Sequence, residues 1–287
     1  MKVAFISDVH GNSPALGAVL NDIAGYEVDE LINLGDLFNG LDPHGCCQLL
    51  RQWCEEQTVD LTCIRGNAEE YLLTPDLGEL HSYGLDPKQW LIDLVKWWKA
   101  RLSPEDLEWL AAFPRTLRWQ DALLVHDSPF DRVNVVIQAT PNLRPEHREW
   151  FFHGMGITHD SPEEEWRLLF ATMEEHHYNY IFCGHSHIPF IHEQNGKIIC
   201  NAGSAGTPLD GDWRPSWVLL ETHADGKGVL TIQRVEYDLT HIHRLCNANP
   251  NYPQFLEDPG ILEAYKRQYT SGVHWREHLH AKQEGCK

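Results

Sequence analysis

The sequence predicts an α/β protein, and three observations carry the prediction. Apolar runs and amphipathic stretches alternate through the first third of the chain. Three of those runs end in polar, glycine-bearing loops, SDVHGN, GDLFNG and RGNAEE. Beyond the middle, short apolar runs return, separated by tight-turn signals.

KVAFIS reads as the first strand and is followed by a helix from about Ser13. ELINLG is the second strand, a helix lies near Gly45 to Glu56, and LTCIRG is the third strand. This β-α-β-α-β order implies a mostly parallel sheet with right-handed crossovers. Ligands bind such sheets beyond the C-terminal ends of the strands. The three polar loops all lie there, so they share one edge. From about Tyr71 to Phe113 the pattern turns helical, and Leu91, Leu94, Val95, Trp98 and Leu102 form one apolar stripe. Ser103-Pro104-Glu105-Asp106 opens a further helix with an N-cap, a proline at the first position and an acid at the third. Trp90, Trp97, Trp98 and Trp109 are expected in the core rather than as a base-stacking platform, because large aromatics dominate cores.

TLRW and ALLVH resume the strands, and a loop-rich region leads to a helix opened by Ser161-Pro162-Glu163-Glu164. YIFCGHSH restarts the strand pattern. IPFIHEQNGKIICNAG reads as a hairpin turning at Asn195-Gly196, and SWVLLE and VLTIQRVEY read as further antiparallel strands. The tail from about Asp258 holds a short helix and a polar, histidine-bearing end. Without a low-complexity linker or repeat, one α/β domain with helical decorations is the economical account.

With 42% hydrophobic and 23% charged residues in 287, the composition is that of an ordinary globular protein. Apolar runs are far too short to span a membrane and no leader pattern opens the chain, so a cytoplasmic protein is expected. Eight cysteines include an adjacent pair but no CxxC, which suggests neither a disulfide framework nor a structural zinc site; Cys63, Cys183 and Cys200 read as small core residues. The net charge of −19 argues against polymeric nucleic acid as a partner. A small phosphorylated substrate stays open, because bound cations reverse a local field. The 18 histidines are scattered rather than clustered as in a tag.

Chemistry-bearing residues collect at strand ends. Asp8 and His10 lie two apart, a spacing that in a strand points both side chains to one face, although SDVHGN alone also reads as a turn. Asp36 follows the second strand and Asn67 the third. His126 ends ALLVH, and His185 and His187 repeat the two-residue spacing after YIFC. Seven oxygen or imidazole donors thus sit at five strand termini.

In this order the motifs DxH, GD, GN, a lone strand-end His and GHxH resemble the calcineurin-like metallophosphoesterases, over about residues 1–240. SDVHGNSPALGAVL, DPHGC and NAGSAGTPLDGDWRPSWVLLE look most like the small bacterial phosphodiesterase-like members. The resemblance implies a four-layer α-β-β-α sandwich of two mixed sheets, with a helical insertion at about 71–113 and a C-terminal extension over 241–287. It further implies two divalent metals, manganese first, with iron, zinc or nickel as alternatives. Asp8, His10, Asp36 and His187 would hold one, and Asp36, Asn67, His126 and His185 the other, Asp36 bridging. Asp36, Asn67 and His126 are the catalytic residues it implies. The implied activity is hydrolysis of a phosphodiester or similar small phosphorylated compound by a metal-bridging hydroxide. A protein phosphatase or dinucleoside polyphosphate hydrolase of the same superfamily is one alternative, and a binding scaffold with little turnover is another.

Arg65, Arg214, His44 and His159 are weaker candidates for substrate contact. The remaining histidines, among them His81, His153, His176, His177 and His192, are expected to be exposed or capping. Two positions depart from the resembling pattern. Ala68 stands where many members carry a histidine after the GN asparagine, which removes that general acid. Asp127 follows His126 where glycine is common, and it reads either as an orienting partner of His126 or as a turn cap.

Overall fold

The computed structural model describes residues 1–74, 89–127, 162–223, 228–249, 252 and 266–272. In chain order the elements are β1 (Lys2–Ile6), α1 (Ser13–Ala24), β2 (Glu30–Asn33), α2 (Pro43–Gln57), β3 (Asp60–Cys63), α3 (Asn67–Leu73), α4 (Gln89–Lys99) and α5 (Pro104–Ala111). Then follow β4 (Thr116–Trp119), β5 (Ala122–Val125), α6 (Pro162–Glu175), β6 (Tyr180–Cys183), β7 (Phe190–Gln194), β8 (Lys197–Asn201), β9 (Ser216–Thr222), β10 (Gly228–Arg234) and α7 (Leu239–Ala248).

Local chemistry sets the helix starts. Asn12 Oδ1 accepts from Ala15 N at 3.1 Å to cap α1, and Asp42 Oδ1 accepts from Gly45 N at 3.1 Å to cap α2. Pro43 is the first residue of α2, so that helix begins two residues before Gly45. In α5 the Ser103 hydroxyl accepts from Asp106 N while the Asp106 carboxylate accepts from Ser103 N, a reciprocal capping box.

Two five-stranded sheets form, in the orders β10-β9-β1-β2-β3 and β4-β5-β6-β8-β7. The first is parallel across β1, β2 and β3 and antiparallel at β9 and β10. The second is parallel across β5, β6 and β8 and antiparallel at β4 and β7. Both sheets are therefore mixed. The hairpin between β7 and β8 turns at Asn195 (φ 53°) and Gly196 (φ 77°), the paired positive φ that a two-residue turn needs to match strand twist.

Strand alternation divides the core into layers. Val3, Phe5, Ile32 and Leu34 of the first sheet meet Ala122, Leu124, Phe182 and Cys200 of the second. Phe5 and Phe182 stack with centroids 3.9 Å apart, and burying each such ring contributes about 2–3 kcal/mol. The opposite face of the first sheet packs Ala4, Ile6 and Leu31 against Leu16 and Val19 of α1 and Leu50 of α2. Trp98 of α4, Leu110 of α5 and Ile242 and Cys246 of α7 join that same cluster, so the helical segment and the C-terminal helix share one core with the strands. The second sheet's outer face packs Leu123, Val125 and Ile181 against Leu169 and Met173 of α6. The result is the α-β-β-α sandwich. Trp97 and Trp98 are buried, and Cys183 and Cys200 fill core positions. Trp90 and Ser161 have side chains outside the described set.

Candidate metal centre

The strands stop before the chemistry begins. β1 ends at Ile6 and β6 at Cys183, and the next residues leave the extended backbone. Asp8, His10, Asp36, His185 and His187 all have φ between 49° and 65°. That left-handed region is uncommon for residues with a Cβ, and holding such residues there is a cost seen at functional sites. Asp8 and His10 therefore converge through two left-handed turns, not through the alternation of a strand as the spacing suggests. Backbone pairs between the loops hold these turns. Asp8 N donates to Gly35 O at 3.0 Å, His10 N to Asp36 O at 3.0 Å, and Ala205 N to Ser7 O at 2.8 Å.

Close approach explains two glycines of the motifs. A Cβ on Gly66 would lie 2.1 Å from Asp36 Oδ1, and one on Gly184 would lie 1.9 Å from Ser7 Oγ and 2.5 Å from Asp8 Oδ2. Both carboxylates thus occupy space that only glycine leaves open.

Asp8 is fully buried, and its two oxygens differ. Oδ2 accepts from Ser7 Oγ at 2.7 Å and from His185 N at 2.8 Å. Oδ1 has no hydrogen-bond partner. It lies 3.3 Å from His187 Nε2, 3.5 Å from His10 Nε2 and 3.8 Å from His126 Nε2. Asp36 faces both sides of the cluster, with Oδ2 at 3.6 Å from His10 Nε2 and Oδ1 at 3.7 Å from His126 Nε2. Its Oδ1 also accepts from Ala68 N at 2.9 Å. Donors to one ion at about 2.0–2.2 Å stand roughly 3–4.4 Å from each other, and these separations fall within that span.

The ring nitrogens turned away from the cluster are held by the protein. His126 Nδ1 donates to Leu34 O at 2.7 Å and His187 Nδ1 to Thr207 O at 2.6 Å. Each bond fixes the proton on Nδ1 and leaves Nε2 a lone pair, the arrangement of a metal-ligating histidine. The Asn39 amide lies 2.9 Å from His10 Nδ1. The amide nitrogen faces the ring, so Nδ1 accepts and the neutral ring's proton sits on Nε2; the tautomer of His126 and His187 needs this amide turned over. Asn67 is hydrogen-bonded to the Tyr71 hydroxyl, and its Oδ1 is buried without a partner. The His185 ring packs edge-on to His126 at 5.1 Å between centroids.

Asp8 Oδ1, His10 Nε2, Asn67 Oδ1 and His126 Nε2 are all buried without partners. Unsatisfied buried polar atoms are costly, and four in one pocket mark a place shaped for something that accepts lone pairs. Oxygen and imidazole donors without a thiolate suit a divalent cation of the manganese-to-zinc range. Asp8, His10 and His187 make one such group, and Asp8, Asp36 and His126 another.

Without a cation the carboxylates favour protonated imidazoles, so a cation must displace the Nε2 protons to take those lone pairs. Burial opposes the Asp8 carboxylate, but His187 and His126 outweigh it and hold it well below the usual carboxylate value. Burial likewise works against protonated His126, yet Asp36 and Asp8 push it up to about 9. His187 is raised in the same way, with burial overcome by Asp8. Burial, reinforced by the charge on His126, sends His185 well below its ordinary value.

Glu69 is a part of the site that its sequence position did not announce. It is fully buried, and accepts from Gly66 N at 2.7 Å and from Asp36 N and Leu37 N at 3.0 Å. Burial and the neighbouring Asp36 push its carboxyl up to about 7. Ser204 is another. Its hydroxyl donates to Asp8 O at 2.6 Å and accepts from Thr207 N at 2.7 Å, so the NAGSAGTP loop clamps the Asp8 turn beneath His187.

The weaker candidates are engaged elsewhere. Arg65 donates to Ala111 O at 2.6 Å and pairs with Glu70 at 3.5 Å. Arg214 grips Asp212 through Nε and Nη2. His44 Nδ1 sits 2.6 Å from Asp106 Oδ2. Leu34 O, not Asp127, orients His126. The Asp127 carboxylate lies 4.0 Å from His185 Nε2. His176 and His177 are exposed, and His192 stacks on Trp166 at 4.1 Å. His81, His153 and His159 lie outside the described residues. No helix among the described residues is long and apolar enough to cross a membrane.

An uncharacterized protein of Methanocaldococcus jannaschii is 29% identical over 276 residues, covering 88% of this chain and 95% of that protein. A metallophosphoesterase structure from Sphaerobacter thermophilus is similar with a TM-score of 0.62 at 22% identity, over 95% of this chain and 100% of that one. The structure of a hypothetical protein from Pyrococcus horikoshii OT3 gives 0.62 at 18% identity, over 87% and 93%. Both structural likenesses are of fold. The profile of the calcineurin-like phosphoesterase superfamily domain matches residues 1–225, and with most of the chain inside that match, it belongs to this superfamily.

Proposed function

We propose that this member of a metal-dependent phosphoesterase family is a binuclear enzyme that hydrolyses phosphodiesters or related small phosphorylated compounds. The observation that carries the reading is the convergence of Asp8, His10, Asp36, His126 and His187 around buried donor atoms with no partner of their own. In this reading Asp8, His10, Asp36 and His187 hold one cation, and Asp36, Asn67, His126 and His185 hold the second. The two Asp36 oxygens, one toward His10 and one toward His126, support the bridging role.

Two divalent cations, when bound, neutralise phosphoryl charge and make water nucleophilic at neutral pH. The chain's own part is positional. Leu34 O and Thr207 O keep two imidazoles in the ligating tautomer, Glu69 fixes the loop that carries Asp36, and Ser204 fixes the turn that carries Asp8. Ala68 offers no proton to a departing alkoxide, which favours substrates whose leaving group is already stable. Manganese is the first cation to try.

The test is a panel of mono-, di- and pyrophosphate substrates and a phosphopeptide, run on manganese-loaded and metal-stripped protein. Diester cleavage that needs the metal is the expected result. Preference for the phosphopeptide or for a dinucleoside polyphosphate would replace the diester reading, and a metal-loaded protein inert on all of them would leave a binding scaffold.

A further inference from the structure

We propose that Asp127 is an additional ligand of the second cation position, beside His185. This rests on the two-cation reading above.

Adjacency of the two strand ends is the first argument. β5 and β6 run parallel with Ala122 beside Tyr180, Leu123 beside Ile181 and Leu124 beside Phe182. Positions 127 and 185 each lie two residues past the end of these neighbouring strands, where the regular ladder has given way to a left-handed turn at His185. A backbone bond from Gly184 N to His126 O at 2.9 Å keeps the two chains together where the ladder ends.

Distance is the second. Asp127 Oδ2 lies 4.0 Å from His185 Nε2, inside the span that two donors to one ion adopt and close to the 3.3–3.8 Å of the pairs around Asp8. Both side chains are largely buried, at 14% and 12% exposure. The charge of Asp127 is also felt by the Tyr71 phenol, the group bonded to Asn67, and by the Cys183 thiol below His185. Asp127 therefore stands beside His185, one of the donors assigned to the second position.

Chemistry supplies the third. Glycine, common here in the resembling motif, brings no donor. A carboxylate brings a hard, charged oxygen that binds manganese or magnesium well. It also adds a negative charge to a pocket that holds Asp8 and Asp36, which weighs against dianionic monoesters more than against monoanionic diesters.

The experiment is a manganese titration of metal-stripped wild type, Asp127→Asn and Asp127→Gly, followed by calorimetry and by the exchange-coupled paramagnetic signal of a paired site. Thermal unfolding of each metal-stripped protein is measured alongside. Wild type should take up two ions. Both variants should keep the first affinity and the metal-free melting temperature, and lose about 10–100-fold in affinity for the second ion. Asp127→Glu should recover part of that loss. Two ions bound by Asp127→Asn with wild-type affinity, or a lower melting temperature with unchanged affinity, would overturn the proposal and leave the two-cation reading standing. Uptake of fewer than two ions by wild type would remove the reading itself and the proposal with it.

Discussion

The Glu69 carboxylate receives the backbone N–H of Asp36 at 3.0 Å and that of Gly66 at 2.7 Å, joining the GD and GN loops through one buried acid. Leu37 N supplies a third donor to its other oxygen. Gly66 immediately precedes α3, so the same acid caps that helix while Asp36 Oδ1 takes the N–H of Ala68. Glu69→Gln places an amide NH2 against at least one of these donors. Leaving a buried N–H unpaired costs about 1–3 kcal/mol, and the Asp36 loop should loosen with it. Denaturant unfolding should show the loss, and manganese titration should show weaker uptake. Full stability with wild-type uptake would mean that Glu69 does not hold the loop.

Asp36→Asn keeps the size of the side chain and an oxygen for Ala68 N, so the protein should fold. It removes the charge between His10 and His126, and occupancy should fall at both cation positions. Elemental analysis of the purified variant against wild type reads this directly. Loss confined to one position would move the bridge away from Asp36, with Asp8 Oδ1 as the next group in reach of both sides.

Asp106 makes a pH-dependent contribution outside the donor cluster. Fully buried, it accepts from Ser103 N at 2.9 Å, from His44 Nδ1 at 2.6 Å and from Arg51. Burial pushes its carboxyl up, but His44 and Ser103 outweigh burial and hold it below the ordinary value of 3.8. A depressed folded value means stability that is present above the unfolded value and lost as pH falls through the folded one. Asp106→Asn should therefore cost about 1–3 kcal/mol at neutral pH, with the gap to wild type closing below about pH 4. Unfolding measured from pH 3 to pH 8 checks it. A gap that did not change with pH would assign the effect to packing alone.

Much of this architecture is legible in the chain because its signals are local. Asn195-Gly196 turns a hairpin by its own backbone preferences, Ser103 and Asp106 cap a helix by reaching three residues, and the polar loops mark the strand ends. The proposed donors are visible too, since Asp8, His10, Asp36, Asn67, His126, His185 and His187 each follow an apolar run. What brings them together is less visible. Asp8 and His10 meet because both adopt positive φ, held by backbone bonds to the Gly35 and Asp36 carbonyls and by the Ser204 clamp. Glu69 and Ser204 act through backbone N–H and C=O groups of loops remote in sequence, and no spacing rule encodes such partners. Arg65 reads in the sequence as a weaker candidate for substrate contact and is tied to Ala111 O and Glu70 in the fold.

In the proposed diesterase reading, Ala68 bears on what the site should hydrolyse. Its methyl group is buried in the apolar cluster, and it offers only a backbone N–H, already given to Asp36 Oδ1. A leaving oxygen there must depart without a proton from this position. The rate should then depend steeply on the acidity of the leaving alcohol, with activated aryl diesters cleaved well and alkyl monoesters such as serine phosphate poorly. A missing general acid costs about 10²–10⁴-fold, enough to separate these classes. Ala68→His should flatten the dependence and raise activity on monoesters, provided the variant retains the metal content and melting temperature of wild type. A series of aryl phosphodiesters of graded leaving-group acidity, run on both proteins at saturating manganese, measures the two slopes. Equal slopes would mean that another residue already donates the proton, and the assignment of the gap to Ala68 would fall.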